Sequence, residues 1–209
     1  MLTGAVRADA GVRYVALTFD DGPSGRFTRR LLDGLKEREA KGTFLLCGYR
    51  IEDYPDEAAR ILAEGHEVGI HGYSHDPMCD MTASQVASEI RKTAALLPQG
   101  VAFLRPPGGK YNEATLSAAK TAGLSILSWS LDPKDWATRD TAAITARVVE
   151  QVKDGDVILL HDMSDSSVTA ALGIIDRLEA RGFRFVTVSQ LAEIRGTKLE
   201  PGKVYNRFP

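Results

Sequence analysis

The chain has 209 residues, 44% hydrophobic and 26% charged, with a formal net charge of −2. That length and apolar content suit one continuous core and predict a single domain over residues 1–209. The charge balance offers no basic surface for nucleic acid or an acidic membrane, and no apolar run of about 18 residues is available for membrane insertion.

In chain order, residues 1–11 lack a charged region followed by an apolar stretch, so no export signal is expected there. A strand at 14–19 is then followed by a helix at 27–39, a strand at 43–46 by a helix at 56–63, and a strand at 68–70 by a helix at 82–97. The same alternation continues with strands at 102–104, 125–129 and 157–160, and helices at 113–121, 141–152 and 168–180; a seventh strand is expected at 185–188. Short connections between strands that are nearly all apolar favour a parallel sheet buried on both faces. The expected fold is an α/β deformed (β/α) barrel with about seven parallel strands. An open doubly wound sheet is the alternative, but no G-x-G-x-x-G loop follows the first strand. Cys47 ends an apolar run and reads as a small buried hydrophobe, so no bridge to Cys79 is expected.

In a βα barrel the residues after each strand converge on one face. Five polar clusters occupy such positions: Asp20-Asp21-Gly22-Pro23, His71-Gly72-Tyr73-Ser74-His75, Arg105-Pro106-Pro107-Gly108-Gly109, Asp132-Pro133-Lys134-Asp135-Trp136 and His161-Asp162. Each alone has an ordinary structural explanation: a turn, a salt-bridged loop, a helix start or a satisfied histidine. Five at the same end of five strands point to a site. His71 and His75, at i and i+4, would share one side of a helical turn and, with one carboxylate, make a metal set that leaves coordination positions open. Zinc in such a set lowers the pKa of water and polarises a carbonyl, which makes amide or ester hydrolysis feasible at neutral pH. Of Asp20 and Asp21, one could bind the metal and the other take the proton of water.

Thr18-Phe19-Asp20-Asp21-Gly22-Pro23, His-x-x-x-His, Arg-Pro-Pro-x-Gly, Asp-x-x-Asp-Trp and Leu160-His161 resemble, in order, the motifs of polysaccharide deacetylases of carbohydrate esterase family 4, the NodB homology domain. The resemblance implies hydrolysis of N-acetyl or O-acetyl groups on chitin-like, peptidoglycan or xylan saccharides, in a secreted or cell-surface bacterial setting. It implies Asp20 as base, Asp21, His71 and His75 as ligands of a divalent ion (zinc, with cobalt or iron(II) as alternatives), and His161 as acid. Arg105 would orient Asp20, Asp135 would tune His161, Trp136 and Leu160 would wall the groove and acetyl pocket, and the Gly108 N–H would stabilise an oxyanion. Gly108 stands where the family commonly has Tyr, and Gly72 where Ser or Thr commonly follows the first histidine. A non-sugar amidohydrolase and an inactive carbohydrate-binding module are the competing expectations.

Overall fold

A computed structural model describes residues 11–97 and 100–209; the segment expected to lack an export signal lies, but for Gly11, outside them. The strands are β1 (Arg13–Asp20), β2 (Gly42–Leu46), β3 (Glu67–Ile70), β4 (Phe103–Leu104), β5 (Ser125–Leu127), β6 (Val157–His161), β7 (Phe183–Phe185) and β8 (Val204–Tyr205). They form one sheet in the order β6-β1-β2-β3-β4-β5-β8, with β7 also pairing β1, and every strand pair is parallel. Besides β2, β1 is long enough to serve two further partners, β7 along Arg13 to Val15 and β6 along Ala16 to Asp20. A parallel bridge from Leu131 to Ile158 ties the chain after β5 back to β6, so the sheet curls round and nearly closes. This is the expected deformed barrel, with an eighth, two-residue strand added.

The helices are α1 (Arg26–Glu37), α2 (Gly48–Asp53), α3 (Pro55–Ala63), α4 (Ala83–Ala94), α5 (Glu113–Thr121), α6 (Thr141–Gln151), α7 (Asp165–Glu179) and α8 (Val188–Ile194). Six match the expected helices to within a turn, while α2 and α8 were not anticipated. The seventh strand ends at Phe185, three residues before the expected end, because Thr187 and Gln190 form a reciprocal capping box that starts α8 at Val188. β5 likewise stops at Leu127, since the carbonyls of Leu127 and Ser128 accept from the Arg105 guanidinium.

Alternation along the strands sorts residues into two populations. Val15, Leu17 and Phe19 of β1, Phe44 and Leu46 of β2, and Ile158 and Leu160 of β6 join α1, α6 and α7 in the larger apolar cluster. Tyr14, Ala16, Leu45, Phe103, Leu127 and Val157 fill the barrel interior, plugged by Val188 and Leu191 of α8 and by Tyr205 and Phe208. The interior is narrow. A methyl at Gly69 would stand 2.5 Å from Leu45 Cδ1 and 3.2 Å from the Phe103 carbonyl, so β3 needs glycine there. Cys47 and Cys79 are both free thiols. Among the described residues no helix is long and apolar enough to cross a membrane.

Candidate functional site

The interior alternation continues upward from the apolar layer: Thr18 and then Asp20 follow Ala16 in β1, Arg105 follows Phe103, and Leu159 and His161 follow Val157. Each strand therefore delivers polar side chains inward at its carboxyl end, where they line a pocket of about 440 Å³. Its walls are Asp20, Asp21, His71, His75, Gly108, Trp129, Asp132, Trp136, Leu159 and His161.

Arg105 forms the floor. It is 0% exposed, and all its bonds are made inside the barrel: Nε donates to Leu127 O at 3.0 Å and one Nη to Ser128 O at 2.9 Å. The other Nη donates to Thr18 Oγ1 at 2.8 Å and to Asp20 Oδ1 at 2.6 Å. The Thr18 hydroxyl in turn donates to Ile158 O at 2.8 Å. Asp20 is thereby held by one oxygen, while Oδ2 faces His71 Nε2 at 3.9 Å.

Asp21 turns toward two imidazoles. Its φ of 72° directs the side chain back across the mouth, with Oδ1 at 3.2 Å from His71 Nε2 and 3.0 Å from His75 Nε2. His71 Nδ1 lies 2.7 Å from the Arg105 carbonyl, which can only accept, so Nδ1 carries a hydrogen and Nε2 is the ring atom turned to Asp21. That nitrogen and a carboxylate oxygen stand 3.2 Å apart, and buried Asp21 Oδ1 has no hydrogen-bond partner. A cation between them, a proton or a metal ion, satisfies both atoms. The residues fit a divalent ion: the ligand atoms of Asp21, His71 and His75 all lie within 4.8 Å of one another. Before a metal ion is bound, burial works to raise the Asp21 carboxyl, but the hydrogen bonds and charge of protonated His71 and His75 outweigh it and hold it far below the ordinary carboxylate range.

The two histidines do not share a helical turn, as their spacing suggested. They meet through a loop in which Gly72 has φ 84° and His75 φ 68°. Across the pocket, His161 Nδ1 is 2.8 Å from Asp135 Oδ1, and its backbone N–H donates to Asp135 Oδ2 at 2.9 Å. Nε2 is left facing the pocket, 4.0 Å from Asp21 Oδ2. Burial pulls the His161 pKa down, but the Asp135 hydrogen bond and charge, with Asp20 and Asp21 beyond, push it up to about 9.

Of the ten expected site residues, seven line this one pocket, and Arg105 and Asp135 stand directly behind Asp20 and His161. Leu160 is the correction. It is fully buried in the outer cluster, and Leu159 lines the pocket instead, because His161 faces inward and its immediate neighbour must face out. Asp132, which opens one of the five clusters but was given no role, also lines the pocket, as does Trp129, which was not singled out. The same parity could have marked Leu159, whereas both other residues lie beyond β5, where no strand period applies.

A parallel barrel that gathers an Asp-His-His set, an Arg-anchored carboxylate and an Asp-paired histidine at its carboxyl mouth has the architecture of a metal-assisted hydrolase. The polysaccharide deacetylase model matches residues 7–127, and the chain belongs to that family, carbohydrate esterase family 4. It is 37% identical to a peptidoglycan-N-acetylglucosamine deacetylase of Bacillus cereus, over 86% of this chain and 88% of that protein. It is 36% identical to the peptidoglycan-N-acetylmuramic acid deacetylase PdaC of Bacillus subtilis over 90% of this chain, but spans only 40% of that longer relative. A family 4 acetyl xylan esterase from Clostridium thermocellum in complex with a cobalt ion superposes with a TM-score of 0.86 at 32% identity, covering 94% of this chain and 100% of that one.

Proposed function

We propose that the chain is a divalent-metal-dependent deacetylase that removes N-acetyl groups from cell-wall or chitin-like saccharides outside the membrane. The observation that carries this is the buried Asp21 Oδ1 facing two imidazole nitrogens beside the Arg105-anchored Asp20. Asp21, His71 and His75 would hold the ion, with zinc favoured and cobalt or iron(II) compatible with the same donors. When bound, it supplies Lewis-acid polarisation of the acetyl carbonyl and makes water more acidic.

The chain's own groups then divide the proton traffic. Asp20, held by Arg105 through Oδ1, is free at Oδ2 to take the proton of the attacking water. His161 faces the same space from the other side with its imidazolium favoured by Asp135, so it can hand a proton from Nε2 to the departing amine. An amine leaves poorly as an anion, so amide cleavage needs this acid opposite the base. The Gly108 N–H would steady the oxyanion, Leu159 would bound the acetyl methyl, and the indole of Trp136, 65% exposed, would give a sugar ring a stacking face.

Two relatives are named for peptidoglycan deacetylation, which supports an N-acetylated cell-wall glycan. The acetyl xylan esterase neighbour supports O-deacetylation as a second reading. Acetate release from N-acetylglucosamine oligomers, peptidoglycan and acetylated xylan, by metal-stripped protein with and without zinc or cobalt, tests the proposal. Metal-dependent release from the N-acetylated substrates supports it; release from xylan alone favours the esterase; no release from folded, metal-bound protein contradicts both.

A further inference from the structure

The loop that carries the two metal-binding histidines has no helical or strand hydrogen bonding of its own, and Gly72 lacks a side chain that could brace it. Glu89, on α4 and distant in sequence, meets that need. One of its oxygens, Oε2, accepts from the Tyr73 N–H at 2.8 Å and from the Ser74 N–H at 2.8 Å, and lies 3.0 Å from the Ser74 hydroxyl. Glu89 is only 8% exposed, and α4 is fixed beneath the loop by buried Val86 and Ile90. The opposite edge of the loop is held by α2, whose Gly48 and Tyr49 N–H groups donate to Gly72 O at 3.0 Å and Tyr73 O at 3.1 Å. A methyl at Gly72 would stand 3.1 Å from Met78 Cε and 3.6 Å from Glu89 Oε2, so the space beneath the loop is already taken.

We infer that Glu89 is a positioning residue for the metal site: by gathering the N–H groups of Tyr73 and Ser74 it sets the loop conformation that brings His75 to face Asp21. This rests on the metal-dependent reading above. His71 follows directly from β3, and its Nδ1 is fixed by the Arg105 carbonyl, so it needs no such brace. His75 is different: its φ of 68° is strained for a side chain, and the loop must over-determine that conformation. Two backbone N–H groups donating to one charged acceptor do this with bonds stronger than neutral ones.

Zinc affinity, measured by competition with a chromophoric chelator, is the test, because it requires no substrate. Glu89→Asp keeps the charge but withdraws the oxygen by one methylene; it should bind zinc about 10–100-fold more weakly, the range usual for groups that support metal ligands. Glu89→Gln, whose amide oxygen can accept the same bonds, should lose less. With zinc restored to saturation, Glu89→Asp should recover kcat. Folded Glu89→Asp binding zinc as tightly as the parent would overturn the inference, and this variant carries the test if Glu89→Ala fails to fold. A parent protein that binds no zinc would overturn the metal site and the brace together, whereas a parent that binds zinc yet releases no acetate would refute only the deacetylase reading.

Discussion

Two carboxylates at opposite ends of the same β-barrel are treated in opposite ways. At the amino end Glu67, the first residue of β3, has its acceptors occupied: Oε2 takes the Thr43 hydroxyl at 2.9 Å and the Ser189 N–H at 3.2 Å, and Oε1 takes the Ser189 hydroxyl. At the carboxyl end Asp21 Oδ1 is buried, faces two imidazole nitrogens and has no hydrogen-bond partner. Desolvation pushes the Glu67 carboxyl up, whereas its imidazole neighbours hold Asp21 low. A buried acid whose lone pairs are all met by donors is part of the architecture. One that faces two imidazole nitrogens with no hydrogen bond fixed to it is arranged for a cation, a proton or a metal ion.

The contrast is broken most severely at the mouth. His71→Ala removes a nitrogen whose ring is fixed by the Arg105 carbonyl, and zinc binding and acetate release should disappear together while the fold persists. The next effect is on pH. If His161 is the acid, activity falls as pH rises through its pKa, which stands near 9 before a cation is bound; the charge of a metal at Asp21 opposes protonation, so the alkaline limb of the loaded enzyme lies below that value. Asp135→Asn removes the negative charge that favours the imidazolium, and the limb should move to lower pH by about one unit or more. An unmoved limb would detach Asp135 from that role.

Leu159 and Leu160 divide the two functions within two adjacent residues. Leu160→Ala opens a cavity in the outer cluster and should cost about 2–5 kcal/mol of stability with KM unchanged. Leu159→Ala should instead relax acyl selectivity, by about 1–3 kcal/mol per methylene, in a comparison of acetyl and propionyl substrates. The smallest effect belongs to the amino end: Glu67→Ala strands the donors of Thr43 and Ser189, which should cost about 1–3 kcal/mol. Its melting temperature should fall by roughly 2–4 °C per kcal/mol, with kcat/KM unaltered.

The same contrast explains what the sequence disclosed. Polar residues that interrupt apolar runs at strand ends stand out, so Asp20, His71, Arg105 and His161 were legible, and with them the barrel that makes them converge. Leu159 and Leu160 were indistinguishable by composition, because a strand buried on both faces carries no polar alternation; only the parity of His161 separates them. β8 has two residues and α8 seven, too short for any period, and the apolar stretch 185–188 hid the Thr187 cap. Glu89 left no local signal, since its bonds to Tyr73 and Ser74 exist only once α4 has packed beneath the loop.

The most direct test pairs zinc binding with turnover in Asp20→Asn. Asp20 neighbours the ligands without belonging to them, and Asn can still accept from Arg105. Zinc affinity near that of the parent, with acetate release from N-acetylglucosamine oligomers reduced by about 10²–10⁴-fold, is the predicted result. Retention of most of the activity at full zinc occupancy would contradict the account, because the proton would then be leaving by a group other than Asp20.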